Sequence, residues 1–211
     1  MASLVTDPSL AILAGIVLSY LIGSLSFAVI VSRVFGLSDP RTYGSGNPGA
    51  TNVLRSGHKG AAVLTLLFDA LKGYVPVVIA RGMGFDEAAL TAMGLAAFLG
   101  HLWPIFFRFE GGKGVATAAG VLLAFNPVTG GLVLAVWLGM AIVFRYSSLA
   151  ALTASLAAPV IQLLASGPST LTIGVAIMSA LLIWRHLPNI RKLLAGQESK
   201  LGQKAAPSAP Q

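Results

Sequence analysis

Apolar residues run through the chain in long stretches, with short polar segments between them. Each stretch is bounded by glycine, proline or charge, as helices commonly are, and a helix needs about 20 residues to cross the hydrocarbon of a bilayer. The pattern therefore predicts an all-α integral membrane protein with about seven transmembrane helices. The predicted helices cover residues 10–32, 61–80, 87–103, 113–125, 128–145, 149–166 and 170–186.

Two of these stretches have features that change the picture. Residues 113–125 would extend only about 20 Å at roughly 1.5 Å per residue, which predicts a short or half-buried helix that begins below the membrane surface. The first nine residues, MASLVTDPS, contain no Lys or Arg. Because a cleaved signal peptide has a basic start, we expect the first stretch to be a permanent helix.

Composition supports a membrane location. The chain is 55% hydrophobic and 10% charged, and its mean hydropathy is +0.82, whereas soluble domains carry about 25% charged residues. The absence of cysteine excludes disulfides, thiolate metal sites and a cysteine nucleophile. The net charge of +7 arises from basic residues placed among the apolar stretches, which favours a membrane surface over a nucleic acid as partner.

The polar segments fall into two groups, one after the odd-numbered stretches and one after the even-numbered stretches. The first group comprises residues 33–60, 104–112, 145–148 and 187–211, and the second comprises 81–86, 126–127 and 167–169. Twelve of the fourteen Lys and Arg residues lie on or beside the first group. The positive-inside rule then predicts that this group is cytoplasmic and that the N-terminus is outside. Re-entrant polar loops from four segments would thus form one cytoplasm-facing site.

The first of these segments contains YGSGNPGATNVLR, residues 43–55. Its glycines permit backbone conformations that other residues rarely adopt, so that successive N–H groups can form an anion-binding concavity. Pro48 is suited to begin a short helix, ATNVLR, whose N-terminus points back to the glycines. Arg55 adds a charge suited to bidentate phosphate contact. The alternative is a flexible loop with solvated polar groups.

The second segment, HLWPIFFRFEGGKGVATAAG, spans residues 101–120. Pro104 ends the third helix, and Gly111, Gly112, Lys113 and Gly114 lead into the short fourth one. A glycine loop with a lysine at a helix N-terminus can hold phosphate, although it is not a Walker A motif because Gly follows the lysine. The alternative is an interfacial lysine that snorkels to the membrane surface.

The other two segments carry hydroxyl, amide and imidazole groups. In FRYSSLAAL (144–152), Ser147 and Ser148 are further donors for an anion, unless one of them only caps a helix. In WRHLPNIRKLLAGQESK (184–200), His186 and Asn189 would face the same region, while Arg191 and Lys192 would rest on anionic lipid. Residues 1–202 are expected to form a single domain, followed by a disordered cytoplasmic tail at 203–211.

Inside the second helix, Asp69 and Lys72 lie on one face and are expected to pair with each other or to face the protein interior. The chain contains no HxxxxD dyad, no GxSxG elbow and no metal-ligand spacing. An enzyme with this sequence would therefore use no metal or cofactor, and it would act by positioning its substrates and binding negative charge.

Taken together, GSGNPGATNVLR, GHLWPIFFRFEGGKGVAT, FRYSSLA and RHLPNIRKLLAGQESKLG, with LFDALKGYVPV between the first two, resemble the motifs of the acyl-phosphate:glycerol-3-phosphate acyltransferase family, PlsY. The resemblance covers about residues 10–202. It implies a seven-helix enzyme of the bacterial inner membrane that transfers a fatty acyl group from acyl phosphate to the 1-hydroxyl of glycerol 3-phosphate. The products would be lysophosphatidic acid and phosphate, in the first acylation of phospholipid synthesis, with no covalent acyl-enzyme.

The resemblance also implies roles for particular residues. Ser45, Arg55 and Lys113 match positions that hold substrate phosphate, and His186 and Asn189 match positions that contact glycerol 3-phosphate; these five are the predicted catalytic residues. The predicted substrate-binding residues are Gly46, Asn47, Gly49, Thr51, Asn52, Gly111, Gly112, Gly114, Ser147 and Ser148. Substrate phosphate is expected to accept the proton. The expected partners are the two substrates, membrane lipid and the enzyme that supplies acyl phosphate.

Two other functions are compatible with parts of the sequence. A transporter of a small phosphorylated solute would also need membrane helices and an anion site, but it predicts polar features on both sides and broken helices near the midplane. A scaffold that binds anionic lipid would explain the charge asymmetry but not the glycine loops.

Overall fold

The computed structural model describes residues 8–203, which form ten α-helices and a short 3₁₀ turn at Ile105–Phe107. Of the tail predicted at 203–211, residues 204–211 lie outside the described residues. The helices are α1 (Pro8–Gly23), α2 (Phe27–Val34), α3 (Ala50–Leu54), α4 (Lys59–Gly82), α5 (Glu87–Leu102), α6 (Val115–Phe125), α7 (Pro127–Phe144), α8 (Ser147–Ser166), α9 (Thr170–Arg185) and α10 (Leu187–Leu194).

The helices make an integral membrane bundle, as predicted. By length and composition, α4, α7, α8 and the unit Glu87–Phe107 can each cross a bilayer, and α1–α2 and α9–α10 raise the number to six if each bent pair is one span. Helix α6 has 11 residues and covers only about 16 Å, so it is too short to cross alone. The prediction of a short fourth segment is confirmed, whereas the count of seven spans is not.

The prediction of one continuous helix over residues 10–32 is wrong. Helices α1 and α2 are separate and meet at a bend of 45°. At the break, Ser24 Oγ donates to the Tyr20 carbonyl at 2.8 Å, and a serine that bonds back to the preceding turn bends a helix. The freed Leu25 carbonyl accepts a hydrogen bond from Lys72 Nζ at 2.7 Å. That contact satisfies the polar backbone that a broken helix would otherwise expose inside the membrane.

Side-chain caps fix the starts of several helices. Asp86 accepts a hydrogen bond from the Ala89 amide at 2.8 Å before α5. Asn126 accepts one from the Val128 amide at 2.9 Å before α7, where Pro127 occupies the first helical position. Since a cap satisfies amides that have no partner within the helix, the boundaries of α5 and α7 agree with the predicted ones within two residues.

The core lies between α4, α5, α6 and α9, where Phe98, Leu102 and Val121 are fully buried or nearly so. Helices α4 and α6 approach closely at two glycines. A Cβ atom at Gly73 would lie 3.1 Å from the Thr117 carbonyl carbon, and one at Gly120 would lie 2.9 Å from that of Ala70. Small residues allow such contact between membrane helices. The short helix α6 is thereby held within the bundle, and its N-terminus faces the polar segments.

The predicted pairing of Asp69 with Lys72 is confirmed. Lys72 Nζ lies 2.7 Å from Asp69 Oδ1, and the two side chains are only 2% and 4% exposed. The buried imidazole of His101 lies 3.7 Å from the same carboxylate oxygen. Because an isolated charge is costly inside a membrane protein, the two charges stabilise each other and also tie α4 to the α1–α2 break and to α5.

Candidate active site

The loop of residues 43–49 is built around the side chain of Asn52. Asn52 Nδ2 donates to the Pro40 carbonyl at 2.6 Å and to the Tyr43 carbonyl at 3.1 Å, while its Oδ1 accepts from the Ser45 amide at 3.0 Å. Gly44 and Gly46 adopt φ angles of 60° and 67°, which other residues rarely adopt. The polar atoms of Asn52 are thus used to shape the loop, and Ser45, Gly46 and Asn47 form its outer face.

The predicted short helix after Pro48 is present as α3, which begins at Ala50 with Gly49 as its N-cap. Thr51 Oγ1 lies 3.1 Å from Ser147 Oγ, which connects the first loop to the start of α8. Arg55 follows the helix, and its guanidinium donates to the Ser199 hydroxyl. The arginine therefore reaches the C-terminal segment of the chain.

The glycine loop before α6 is held by two residues from other helices. The guanidinium of Arg185 at the end of α9 donates to the Gly111 carbonyl at 2.9 Å and to the Gly112 carbonyl at 3.0 Å. The Gly112 amide donates to the His101 carbonyl at 3.2 Å. Gly114 has a φ of 86° and is the N-cap of α6. These contacts fix the direction in which the Lys113 side chain leaves the loop.

Lys113 does not extend to open solvent, as a snorkelling lysine would. It is partly buried, and its ammonium donates to Asn189 Oδ1 of α10. Burial lowers the pKa of Lys113 to about 8, while Glu198 acts in the opposite direction. At neutral pH the lysine is therefore charged but has little surrounding water, so that an anion beside it would interact strongly.

His186 is buried at the α9–α10 junction. Its Nδ1–H donates to the Leu182 carbonyl at 2.8 Å, which leaves Nε2 without the proton in the neutral ring. Burial lowers the pKa of His186 to about 4. The imidazole is therefore neutral at physiological pH, and its Nε2 can accept a hydrogen bond.

Neither serine of the third segment is the N-cap of α8. Tyr146 occupies that position and makes no side-chain cap, so the capping alternative for these serines is wrong. Ser147 contacts Thr51, whereas Ser148 Oγ donates to Glu198 Oε1 at 2.7 Å. Both hydroxyls thus join α8 to other parts of the site.

Two adjacent clefts open between these segments. The smaller cleft has a volume of about 270 Å³ and is lined by Ser45, Gly46, Asn47, Gly111, Lys113, Arg185, Pro188, Asn189 and Lys192. The larger one has a volume of about 450 Å³ and is lined by Arg41, Gly46, Pro48, Phe109, Glu110, Gly111 and Arg185. The smaller cleft brings together parts of three predicted segments. Three cations line it, Lys113, Arg185 and Lys192, and the acidic Glu198 contacts Asn189 of its lining.

Several predicted residues do not line the smaller cleft. These residues are Gly49, Thr51, Asn52, Arg55, Gly112, Gly114, Ser147, Ser148 and His186. Of these, Arg55, Thr51 and Ser147 connect the first loop to α8 and to the C-terminal segment.

Sequence reasoning missed several residues of this region. Arg185 and Lys192 line the smaller cleft but were not predicted as site residues. Glu198 and Ser199 were given no role, although they contact Asn189, Ser148 and Arg55. A usable signal for Glu198 existed. It is the only acidic residue after position 110, and it lies in the middle of a basic stretch.

Comparison with known proteins identifies the family to which a chain with this site is related. The family model described as Glycerol-3-phosphate acyltransferase matches residues 13–196. A glycerol-3-phosphate acyltransferase of Paraburkholderia phytofirmans is 58% identical over 192 residues, covering 89% of this chain and 90% of that protein. One of Dechloromonas aromatica is 58% identical over 189 residues, covering 90% and 96%.

Two solved structures share the fold. The crystal structure of PlsY (YgiH), an integral membrane glycerol 3-phosphate acyltransferase, in its glycerol 3-phosphate form has a TM-score of 0.86 and 42% identity, covering 91% of this chain and 96% of that one. Its lysophosphatidic acid form has a TM-score of 0.84 and 41% identity, covering 90% and 95%.

Proposed function

The chain belongs to the glycerol-3-phosphate acyltransferase family, and from this premise we propose that acyl phosphate is its acyl donor. The protein is a membrane acyltransferase of phospholipid biosynthesis that acylates glycerol 3-phosphate to give lysophosphatidic acid. The finer points are the donor, the acylated 1-hydroxyl, the residues and the orientation in the membrane. The donor and the acylated hydroxyl rest on the resemblance of the sequence motifs, whereas the residue roles and the orientation rest on the geometry of the site and on the positions of the charges.

The observation that carries the proposal is the smaller cleft, in which Lys113, Arg185 and Lys192 line one cavity with the glycine loops at 44–49 and 111–114. Both substrates carry phosphate, and the cleft offers positive charge, loop amides and the carboxamide of Asn189. Cations and preorganised donors stabilise a phosphate more as it leaves and gains charge than before, which lowers the barrier of the transfer.

The chemical step is an attack of the 1-hydroxyl of glycerol 3-phosphate on the carbonyl carbon of acyl phosphate. An ester C–O bond forms, and the bond between that carbon and the bridging phosphate oxygen breaks. The departing phosphate takes the hydroxyl proton, so charge and atoms balance without a metal or cofactor. We propose that Lys113 and Ser45, which line the smaller cleft, hold phosphate and that Asn189 orients glycerol 3-phosphate there. For Arg55 and neutral His186, which do not line this cleft, the proposed contacts with phosphate and with glycerol 3-phosphate rest on the resemblance of the sequence motifs.

The acyl chain of the donor is proposed to lie against apolar surface beside the clefts. Phe109 lines the larger cleft, and Ile105, Phe106 and Phe109 expose 47–57% of their surface. An acyl chain that enters from the membrane could pack on these side chains while its phosphate end reaches the cations. The donor would arrive from the enzyme that makes acyl phosphate.

The experiment that tests the donor supplies purified protein with glycerol 3-phosphate and either palmitoyl phosphate or palmitoyl-CoA. Phosphate release and lysophosphatidic acid are measured together. Equal amounts of both products with palmitoyl phosphate, and none with palmitoyl-CoA, are expected. Lysophosphatidic acid formed from palmitoyl-CoA alone would contradict the donor, and uptake of glycerol 3-phosphate into proteoliposomes without product would favour the transporter.

The proposed orientation places the site in the cytoplasm and the N-terminus outside the inner membrane of a bacterium. Because the chain has no cysteine, single cysteines can report it. Met83→Cys places a thiol in the exposed turn after α4, and Gln197→Cys places one beyond α10. In spheroplasts, a membrane-impermeant maleimide should label Met83→Cys at once and Gln197→Cys only after permeabilisation. The reverse pattern would contradict the orientation.

A further inference from the structure

The chain after α10 turns back across the site. Gly196, with a φ of 67°, reverses the chain, and the Gln197 amide donates to the Lys192 carbonyl at 2.8 Å. Further on, the Leu201 amide donates to the Arg145 carbonyl at 2.7 Å. We call residues 196–203 the C-terminal strap. It is anchored to α10 at one end and to the turn between α7 and α8 at the other.

The strap places one carboxylate among site residues from three different segments. Glu198 Oε1 accepts hydrogen bonds from Ser148 Oγ at 2.7 Å and from Asn189 Nδ2 at 2.8 Å. On its other side, the Asn189 carboxamide accepts from the Lys113 ammonium through Oδ1. The side chains of Ser148, Glu198, Asn189 and Lys113 therefore form one continuous hydrogen-bonded chain.

A carboxylate beside a phosphate site is unfavourable unless it serves the groups around it. Glu198 does not line either cleft, whereas Asn189 and Lys113 line the smaller one. An ionised carboxylate can only accept hydrogen bonds, so the NH₂ group of Asn189 must face it. That choice turns the carboxamide oxygen toward Lys113. A group behind the binding residues thus fixes the orientation of the residues that face the ligand, as outer partners do in metal sites.

We propose that Glu198 is a positioning residue of the acyltransferase: it fixes the Asn189 carboxamide so that its oxygen holds the Lys113 ammonium in the phosphate-binding cleft. The inference rests on the proposed binding of glycerol 3-phosphate in that cleft. The electrostatic surroundings agree with it. Within residues 8–203, Glu198 is the acidic group that raises the pKa of Lys113, opposing burial and the nearby charges of Lys192, Arg55 and Arg185.

The test exchanges the hydrogen-bond donor and acceptor between Asn189 and Glu198. Asn189→Asp alone places two carboxylates against each other, and we expect kcat/KM to fall about 100-fold, since the loss includes a charge-assisted hydrogen bond. Adding Glu198→Gln to this variant provides an NH₂ group opposite the introduced carboxylate and restores the net charge. The double variant should recover activity by about tenfold over Asn189→Asp.

Single variants give the accompanying readouts. Glu198→Ala should lower kcat/KM by about 10- to 100-fold, and Glu198→Gln should lower it less because its carbonyl oxygen still accepts. In Glu198→Gln the alkaline fall of kcat/KM should move to lower pH, because Lys113 loses its negative neighbour. Gln197→Ala is the matched control in the same strap, where an exposed side chain is removed, and it should behave as the wild type.

Calorimetric titration with glycerol 3-phosphate alone separates this inference from the donor and from the proposed function. Wild-type protein that does not bind glycerol 3-phosphate would overturn the proposed site and this inference with it. If the wild type binds, two results would overturn the inference alone: Glu198→Ala binding within about twofold of the wild type, or a double variant less active than Asn189→Asp. The comparison of two folded variants remains valid even if Glu198→Ala does not fold.

Discussion

The charge on Lys113 gives the account its sharpest quantitative consequence. Burial lowers the pKa of this lysine to about 8, so about nine-tenths of the molecules carry the charge at pH 7 and about one-tenth at pH 9. If the ammonium holds substrate phosphate, the kcat/KM of the wild type should fall about tenfold between these pH values. The sign follows from deprotonation, which removes the charge as the pH rises.

Two other groups that meet at the site titrate outside this interval. The pKa of His186 is lowered to about 4, and a phosphate monoester loses its second proton near about pH 6. Because kcat/KM reports the free enzyme and the free substrate, substrate bound to the lysine does not mask its titration. The assay is phosphate release at subsaturating glycerol 3-phosphate, corrected for spontaneous hydrolysis of acyl phosphate at each pH.

Lys113→Arg is the matched variant. Arginine stays protonated over the whole range, so its profile should be level from about pH 7 to about pH 9.5, although its activity is lower because a planar guanidinium does not replace an ammonium in shape. A wild-type profile that is level to about pH 9.5, or the same tenfold fall in Lys113→Arg, would refute the assignment of the titrating group to this lysine.

Three further predictions follow from the packing. Gly112→Ala should lower kcat/KM by at least about tenfold because its methyl group would collide with the buried His101 ring and the Pro48 carbonyl oxygen. Gly131→Ala is its control, because a methyl group there would meet nothing within 4 Å. Equal activities of the two variants would contradict the prediction. Arg185→Lys should lower kcat/KM about tenfold because an ammonium cannot bridge the Gly111 and Gly112 carbonyls as the guanidinium does. Unchanged activity would show that the glycine loop keeps its conformation without these hydrogen bonds. Lys72→Met should lower the unfolding temperature in detergent and destabilise the fold by about 3–5 kcal/mol because it leaves the buried charge of Asp69 unpaired. Adding Asp69→Asn to this variant should restore most of the lost stability. A double variant no more stable than Lys72→Met would contradict the pairing.

Most of the helices could be predicted because their boundaries carry local signals. Asp86 and Asn126 cap the helices that follow them, and a cap is readable from the residue type alone. The break between α1 and α2 was missed because Gly23, Ser24 and Ser26 are too few to interrupt the apolar pattern on either side of them. Ser24 bonds back to the Tyr20 carbonyl at the bend. The Leu25 carbonyl that the break frees is satisfied by Lys72, a donor 47 residues away along the chain, which leaves no pattern near the break.

The candidate site, like the fold, could be predicted only in part from the sequence. Glycine loops, serines and the isolated lysine were visible as unusual residues in polar segments, and Asn189 and Lys113 do meet. Glu198 and Arg185 were overlooked because each joins distant segments: Glu198 contacts Ser148, 50 positions away, and Arg185 contacts the Gly111 carbonyl, 74 positions away. Spacing along the sequence carries information about helix faces, but it carries none about which loop folds back over which.

We propose that the polar segments form one phosphate site around Lys113, and the decisive test is a crystal structure determined with glycerol 3-phosphate. We expect the phosphate group to lie in the smaller cleft, within hydrogen-bonding distance of the Lys113 ammonium and the loop at residues 45–47, with Asn189 still in contact with Glu198. A phosphate group bound in the cleft lined by Arg41 and Glu110, with no contact to Lys113, would contradict it.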